Sequence, residues 1–301
     1  MITVKNKMVQ KKIKIYYDLH FHSTFSDGKY PPKKLAEILN MKKITIASLT
    51  DHDSISGYQE FKEYFKGTAV TGVELSTHFH DEDIHILGYG FDPNNEIMLS
   101  TLNKYKKYRK NRIYSICEKL EKLNIKILPD TIFEMVGSKT SLGRPHVAQA
   151  LLDANFVRSA KEAFISYLGY DCPAYVPKKK MSVEYAIELI HNAGGIAVLA
   201  HPGLYKNRYL LEDIVTYSID GIELRHPSNS QKLISEILDI AKKFNLITTG
   251  GSDFHQLNWN GDNSLGKSGV THDEWIKLKN HFINKNTFIS KNFTNNKENN
   301  V

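Results

Sequence analysis

Cysteine is scarce: the 301-residue chain has two, Cys117 and Cys172. Two are too few for a disulfide framework or a cysteine zinc site, and they fit a reducing compartment. Long apolar runs are missing too. The longest stretches, such as Gly195-Ile196-Ala197-Val198-Leu199-Ala200, fall far short of the roughly 20 residues a membrane-spanning helix needs. Segment 1–14 is lysine-rich but has no apolar stretch before a cleavage site, so it is not read as a signal peptide. The expected location is the cytoplasm, with no membrane contact and no obligate protein partner evident. No internal repeat is visible. Hydrophobic residues make up 41% and charged residues 24%, which excludes wholesale disorder. The length fits two domains, or one barrel with an insertion. The net charge of +7 points to an anionic partner without naming it.

Short β-rich runs alternate with helical patterns. Strands are expected near 13–19, 45–49, 69–75, 84–89, 196–200, 221–224 and 246–249. Several are apolar throughout, as strands buried on both faces should be. Helices are expected near 32–41, 56–65, 183–192 and 230–244. Pro31-Pro32 suits the opening of the first, and Gly194-Gly195 closes the third. The alternation predicts a parallel α/β architecture, open or closed. Residues 95–181 lack a strand pattern. There 99–123 reads as one long basic helix, with shorter helices at 144–154 and 160–168, so the segment is expected to be a helical insertion. The Asn/Lys-rich tail 291–301 has little to bury and is expected to be flexible, like 1–12.

Thirteen histidines are the other unusual count. His20 and His22 lie two apart on an expected strand and share a face. Asp27 follows in a turn that can curl back. His52 ends the second strand, Glu74 the third, and His85 opens the next. His201 follows the buried fifth strand, and Asp253 and His255 follow the last. Ends of parallel strands converge in α/β folds. Imidazoles and carboxylates gathered there would repel or stay unpaired without a cation. A histidine and carboxylate set suits Mn²⁺, Zn²⁺ or Fe²⁺ better than Mg²⁺ alone. These nine side chains exceed what one ion binds, so two or three ions are implied.

These residues, together with Gly143-Arg144-Pro145-His146, Tyr175-Val176-Pro177 and His201-Pro202-Gly203, resemble the PHP (polymerase and histidinol phosphatase) superfamily. The likeness runs from about 14 to 255. The narrower similarity is to its nucleoside 3′,5′-bisphosphate phosphatases, also described as 5′-to-3′ exoribonucleases on short RNA. It implies an α/β fold, a distorted (β/α)₇ barrel over 13–94 and 182–290, with the helical insertion 95–181 covering the active site. It also implies three metal sites. His20, His22, Glu74 and Asp253 would hold one ion, and Asp27, His52 and His255 a second. Glu74, His85 and His201 would hold a third, with manganese the first expectation. Asp253, His255 and Glu74 are the expected catalytic residues, acting with a hydroxide bridged by metal ions.

The expected reaction is loss of the 3′-phosphate from a nucleoside 3′,5′-bisphosphate. Alternatives are 5′-to-3′ digestion of short RNA, hydrolysis of another small ester such as histidinol phosphate, or a non-catalytic binding scaffold. Arg144, His146 and His226 are expected to touch substrate. Asp51 is the preferred residue to orient a ligand, ahead of Asp18 and Asp53. His78 and His80 are expected in a polar loop, and His191, His272 and His281 on the surface. The run Lys104 to Lys110 is favoured as a solvated helix face over an RNA contact. The polar segment 256–267 departs from the family pattern at the active-site rim.

Overall fold

The computed structural model describes residues 17–137, 140–207, 209–256 and 264–290. The expected flexible termini, the start of the first strand and most of the polar segment 256–267 lie outside the described residues.

Nine strands are present among the described residues: β1 (Tyr17–Phe21), β2 (Ile46–Leu49), β3 (Thr68–Ala69), β4 (Gly72–Phe79), β5 (Glu82–Tyr89), β6 (Met181–Ser182), β7 (Ile196–Leu199), β8 (Gly221–Arg225) and β9 (Ile247–Gly250). Ten α-helices accompany them: α1 (Pro32–Met41), α2 (Tyr58–Tyr64), α3 (Glu96–Glu121), α4 (Pro129–Val136), α5 (Arg144–Asp153), α6 (Ala160–Ala163), α7 (Val183–Asn192), α8 (Leu210–Ile214), α9 (Gln231–Lys243) and α10 (His272–Asn284). Local chemistry explains the boundaries. Pro32 starts α1, where a missing N–H costs nothing. Ser182 caps α7 through Tyr185 N, and Gly194 follows its end at φ 75°, a conformation that favours glycine. Thr271 and Glu274 cap α10 reciprocally.

The strands form two sheets, ordered β1-β2-β3 and β6-β4-β5-β7-β8-β9. Main-chain bonds join the sheets in two places. After β1 and β9, His22 N donates to Phe254 O at 2.9 Å and Asp253 N to His20 O at 2.7 Å; after β2, Asp53 N donates to Glu74 O of β4 at 2.9 Å. The expectation of an all-parallel arrangement needs correction. β5 runs antiparallel to both β4 and β7, because β4 turns straight into β5 through His80-Asp81. His78 therefore lies in β4 rather than in a loop. The reversal also brings the first half of β5, with His85, to the end where the parallel strands finish.

β1, β2 and β7 are buried along their whole length; β2 and β7 accordingly read as near-continuous apolar runs, whereas β1 alternates, with Asp18 and His20 among its buried residues. Between β5 and β6 the described chain is helical. Ile113, Ile116, Leu120, Ile132, Val147 and Leu151 form an apolar cluster of its own there. Each such side chain contributes about 1.5–3 kcal/mol on burial. Among the described residues no helix is long and apolar enough to cross a membrane.

Three histidines expected on the surface are partnered. His272 Nδ1 lies 2.9 Å from Tyr17 Oη. His191 Nε2 lies 2.7 Å and His281 Nε2 3.3 Å from Asp220, which sits just before β8 and also accepts from Ala197 N and pairs with Lys285 at 3.1 Å. Burial would raise the Asp220 carboxyl, but its bonds to His191 and His281 take it well below its ordinary 3.8. Its contribution is therefore full above that value and fades as the pH falls below it. Asp220→Asn is expected to cost ~2 kcal/mol in urea unfolding. A wild-type advantage that stays constant from about pH 5 to about pH 2 would contradict this assignment.

Candidate active site

His20 of β1 and His22, which directly follows the strand, are both fully buried, while Leu19 and Phe21 alternate with them in the core. The loop after β1 folds back through Ser26 N and Gly28 N, both bonded to Ser23 O, and so returns Asp27 toward His22. Gly28 is required there, since a Cβ would lie 2.3 Å from His22 O. His52 follows β2 and forms a parallel bridge with Glu74 of β4. Three residues of this region adopt left-handed backbone conformations: Asp53 at φ 49°, His201 at φ 29° and Asp253 at φ 48°. Such strain persists where the surroundings over-determine it, as at functional sites.

Glu74 is the hub. Its Oε2 lies 3.2 Å from His20 Nε2, 3.1 Å from His22 Nε2 and 3.2 Å from His52 Nδ1. Its Oε1 lies 2.7 Å from His85 Nδ1 and 2.8 Å from His201 Nε2. Asp253 Oδ1 lies 3.1 Å from His22 Nε2 and 3.4 Å from His20 Nε2. Asp27 lies 3.3 Å from His255 Nε2 and 3.8 Å from His52 Nε2. All nine side chains expected as ligands thus meet in one place. The donor atoms that lie within 4.8 Å of one another fall into three groups: His20, His22, Glu74 and Asp253; His22, Asp27, His52 and His255; and His52, Glu74 and His85. The first matches the implied set, the second adds His22, and the third has His52 in place of His201. His201 nonetheless touches Glu74, and its Nε2 is 3.2 Å from His85 Nδ1.

The electrostatics fit cations. Burial would raise the Glu74 carboxyl, but the imidazoles of His52, His85 and His20 hold it well below the ordinary range. Asp27 and Asp253 are held down by neighbouring imidazoles in the same way. Five imidazoles around one carboxylate exceed its capacity as an acceptor. His52 Nδ1 is buried and makes no hydrogen bond. An ionised carboxylate hub with imidazole nitrogens turned toward it is a donor set for divalent metal.

A second layer holds these groups. Buried Glu223 Oε1 lies 3.0 Å from His20 Nδ1; in the neutral imidazole that contact places the proton on Nδ1 and turns the Nε2 lone pair toward Glu74. Its Oε2 accepts from His201 N at 2.7 Å. Sequence reasoning missed Glu223. The available signal was a carboxylate inside the apolar run Gly221-Ile222-Glu223-Leu224. Asp51 does not touch an imidazole. It binds Ser23 N, Ser23 Oγ and Ser26 Oγ, and so shapes the loop that carries Asp27. Asp18, pushed up to about 6 by burial, accepts from Ser252 N and Gly266 N. Asp53 accepts from Ser76 N and from Arg109, with Lys178 Nζ 3.6 Å away. Arg109 is buried, so the basic run is not one solvated face. Burial and Arg109 push the Lys178 ammonium down to about 7.

The three expected substrate contacts take different positions. Arg144 borders a cavity of about 600 Å³ together with His85, His201, Tyr175, Lys180 and Lys206. His146 is half-buried: its Nδ1 accepts from Gly143 N at 3.0 Å at the start of α5, and its ring lies beside Ser26 and Asp27. His226 is 8% exposed, and its Nε2 lies 3.2 Å from Asp253 Oδ2, so it braces Asp253.

Comparison with known proteins agrees with this geometry. The PHP domain family model matches residues 18–247. The chain is 34% identical over 247 residues to a 5′-3′ exoribonuclease of Haemophilus influenzae, covering 79% of this chain and 89% of that protein. It is 31% identical over 246 residues to a 3′,5′-nucleoside bisphosphate phosphatase of Chromobacterium violaceum, covering 79% and 86%. A solved structure from Bifidobacterium adolescentis, described as a candidate metal-dependent phosphoesterase, superposes with a TM-score of 0.79 at 28% identity, covering 89% of this chain and 96% of that one. Nine donors meeting at the strand ends and a family match over most of the chain agree: the protein belongs to the PHP domain family and is an enzyme of its metal-dependent phosphoesterase class.

Proposed function

We propose that the protein removes the 3′-phosphate from a nucleoside 3′,5′-bisphosphate to leave the 5′-monophosphate. The observation that carries this reading is the junction of the Glu74 cluster with the 600 Å³ cavity, where Arg144 and the ring of Tyr175 share walls with His85 and His201; Lys180 and Lys206 line it too, together with Asp81, Glu82 and Asp83, of which Asp83 pairs with Lys180. Cations beside an aromatic suit a phosphorylated nucleoside. The likeness to the Chromobacterium phosphatase supports the same substrate. A second reading, 5′-to-3′ digestion of short RNA at the same site, is favoured by the Haemophilus relative. The insertion would cover the site, and the cytoplasm is the proposed setting.

His20, His22, Glu74 and Asp253 would hold one cation, Asp27, His52 and His255 a second, and Glu74, His85 and His201 a third, manganese being proposed. Bound divalent cations supply a nucleophilic water at neutral pH and neutralise charge on the phosphoryl oxygens. The chain's own residues do the rest. Glu223 fixes the His20 tautomer, and His226 and the His20 carbonyl hold Asp253 in place. Arg144 is steadied by Leu168 O at 2.9 Å and by the rings of Phe164 and Tyr175, which leaves guanidinium donors for a phosphate. Lys178 adds positive charge beside His85 and Asp27.

The test is phosphate release by the Mn²⁺-loaded protein from nucleoside 3′,5′-bisphosphates, 5′-phosphorylated oligoribonucleotides and histidinol phosphate. Release from the bisphosphates is expected to be fastest, lost in EDTA and restored by Mn²⁺. Turnover of histidinol phosphate with no nucleotide cleaved overturns the reading.

A further inference from the structure

We infer that the groove between α3 and α4 seats the single-stranded continuation of an oligoribonucleotide whose terminal nucleotide occupies the Glu74 site. The inference rests on the nucleotide reading above and extends it to strands longer than one nucleotide. The groove has a volume of about 770 Å³, and its walls include Lys106, Lys107, Lys110, Phe133, Thr140 and Leu142. It shares no lining residue with the cavity that holds Arg144.

Asn103, Lys106, Lys107 and Lys110 recur at helical spacing and stand on one face of α3. Lys107 and Lys110 are exposed, and neither has a carboxylate partner among the described residues. Glu134 is the one acid on the described wall, against three lysines. A solvated helix face would spread its charge over a convex surface, but these charges border a concavity. Lys110 Nζ lies 4.8 Å over the Phe133 ring, and Tyr114 packs against that ring at 5.3 Å. Cations beside a half-buried ring that lines the groove can take both the phosphates and an unpaired base of a single strand. A duplex hides its bases and offers only the phosphates.

The inner wall is tied to the active site. Thr140 Oγ1 donates to Thr24 O at 2.8 Å and Ser141 N to Phe25 O at 2.7 Å, on the loop that leads to Asp27. Arg109 Nη1 donates to Leu142 O at 2.9 Å while its Nε holds Asp53. A smaller cavity shares Asn103 and Lys106 with the groove and is lined by Asp53 and Ser141. The groove therefore runs up to residues that flank the metal-ligating cluster.

The test is fluorescence anisotropy of the Mn²⁺-loaded full chain with a hydrolysis-resistant phosphorothioate decaribonucleotide. Lys107→Glu/Lys110→Glu is expected to weaken binding by about tenfold or more and to reduce the salt slope by about 1.4, for two lost phosphate contacts. KM for a nucleoside 3′,5′-bisphosphate should stay unchanged, as should the thermal midpoint. Lys107→Arg/Lys110→Arg should bind as wild type does. Unaltered affinity in the charge-reversed variant overturns the inference. So does equally tight wild-type binding of a duplex of the same length, which marks a general polyanion surface. Failure of the nucleotide reading shows separately, as absence of bisphosphate turnover by the wild type.

Discussion

Glu74→Gln and Asp253→Asn are each expected to lower kcat/KM by on the order of 10³-fold with little loss of fold. Outer-layer partners of metal ligands already cost 10–100-fold when removed, and these two carboxylates stand closer to the chemistry than that. Both substitutions keep shape and remove one charge. In Glu74 each oxygen faces imidazole nitrogens, three around Oε2 and two around Oε1. Glutamine has one acceptor oxygen and would turn an NH₂ group toward the other set. Asp253 serves His20 and His22 through one oxygen and His226 through the other, so asparagine must also abandon one side. The left-handed backbone at position 253 tolerates asparagine, so folding should survive. The checks are kcat/KM, metal content per chain and circular dichroism. Retained activity with a full metal load would show that the hub has been misplaced.

The histidines and carboxylates of the site were legible because metal binding demands fixed residue types, and strand ends supply fixed places. His20 and His22 need only the two-residue period of a strand. His201 and Asp253 need only to follow an apolar run. The antiparallel β5 was hidden because its turn, His80-Asp81, lacks the glycine or asparagine that usually marks a hairpin; His80 takes φ 50° regardless. The helix α10 was missed although Thr271 and Glu274 carry a capping-box signal, because its apolar positions Trp275, Leu278 and Phe282 are few.

The bracing residues were less legible, for a different reason. Asp51, Asp53, Asp18 and Glu223 are all buried acids, and a sequence does not say which donor each one meets. Asp51 turns to its loop serines, whereas Glu223 turns to His20 and the His201 backbone. That choice depends on which strands are neighbours. Arg109 is the sharpest case. It falls on the same stripe of α3 as Leu102, Ile113 and Ile116, where an apolar residue is expected. An arginine on an apolar stripe signals a buried partner, but the partner, Asp53, is 56 positions away.

That pair carries the second large expectation. Asp53→Asn is expected to destabilise the protein by about 3–5 kcal/mol, since it leaves Arg109 buried without its counter-charge. Asn tolerates the left-handed backbone at this position, so the effect reports charge rather than strain. Burial would raise the Asp53 carboxyl, but Arg109 and Lys178 take it well below its ordinary 3.8. The stabilisation is thus full above that value and is lost as the pH falls beneath it. Arg109 also binds Leu142 O and Ser76 Oγ, so the pair fastens the helical segment between β5 and β6 to β4 beside the site. The double variant Asp53→Asn/Arg109→Met removes both charges. It should lose less stability than Asp53→Asn alone, because the Arg109 guanidinium no longer stays buried without its counter-charge, while Lys178 loses Asp53 in both variants. Urea unfolding of the wild type, both single variants and the double variant measures the coupling. Additive losses would mean that the two side chains act independently and that the helical segment is held by its apolar contacts instead.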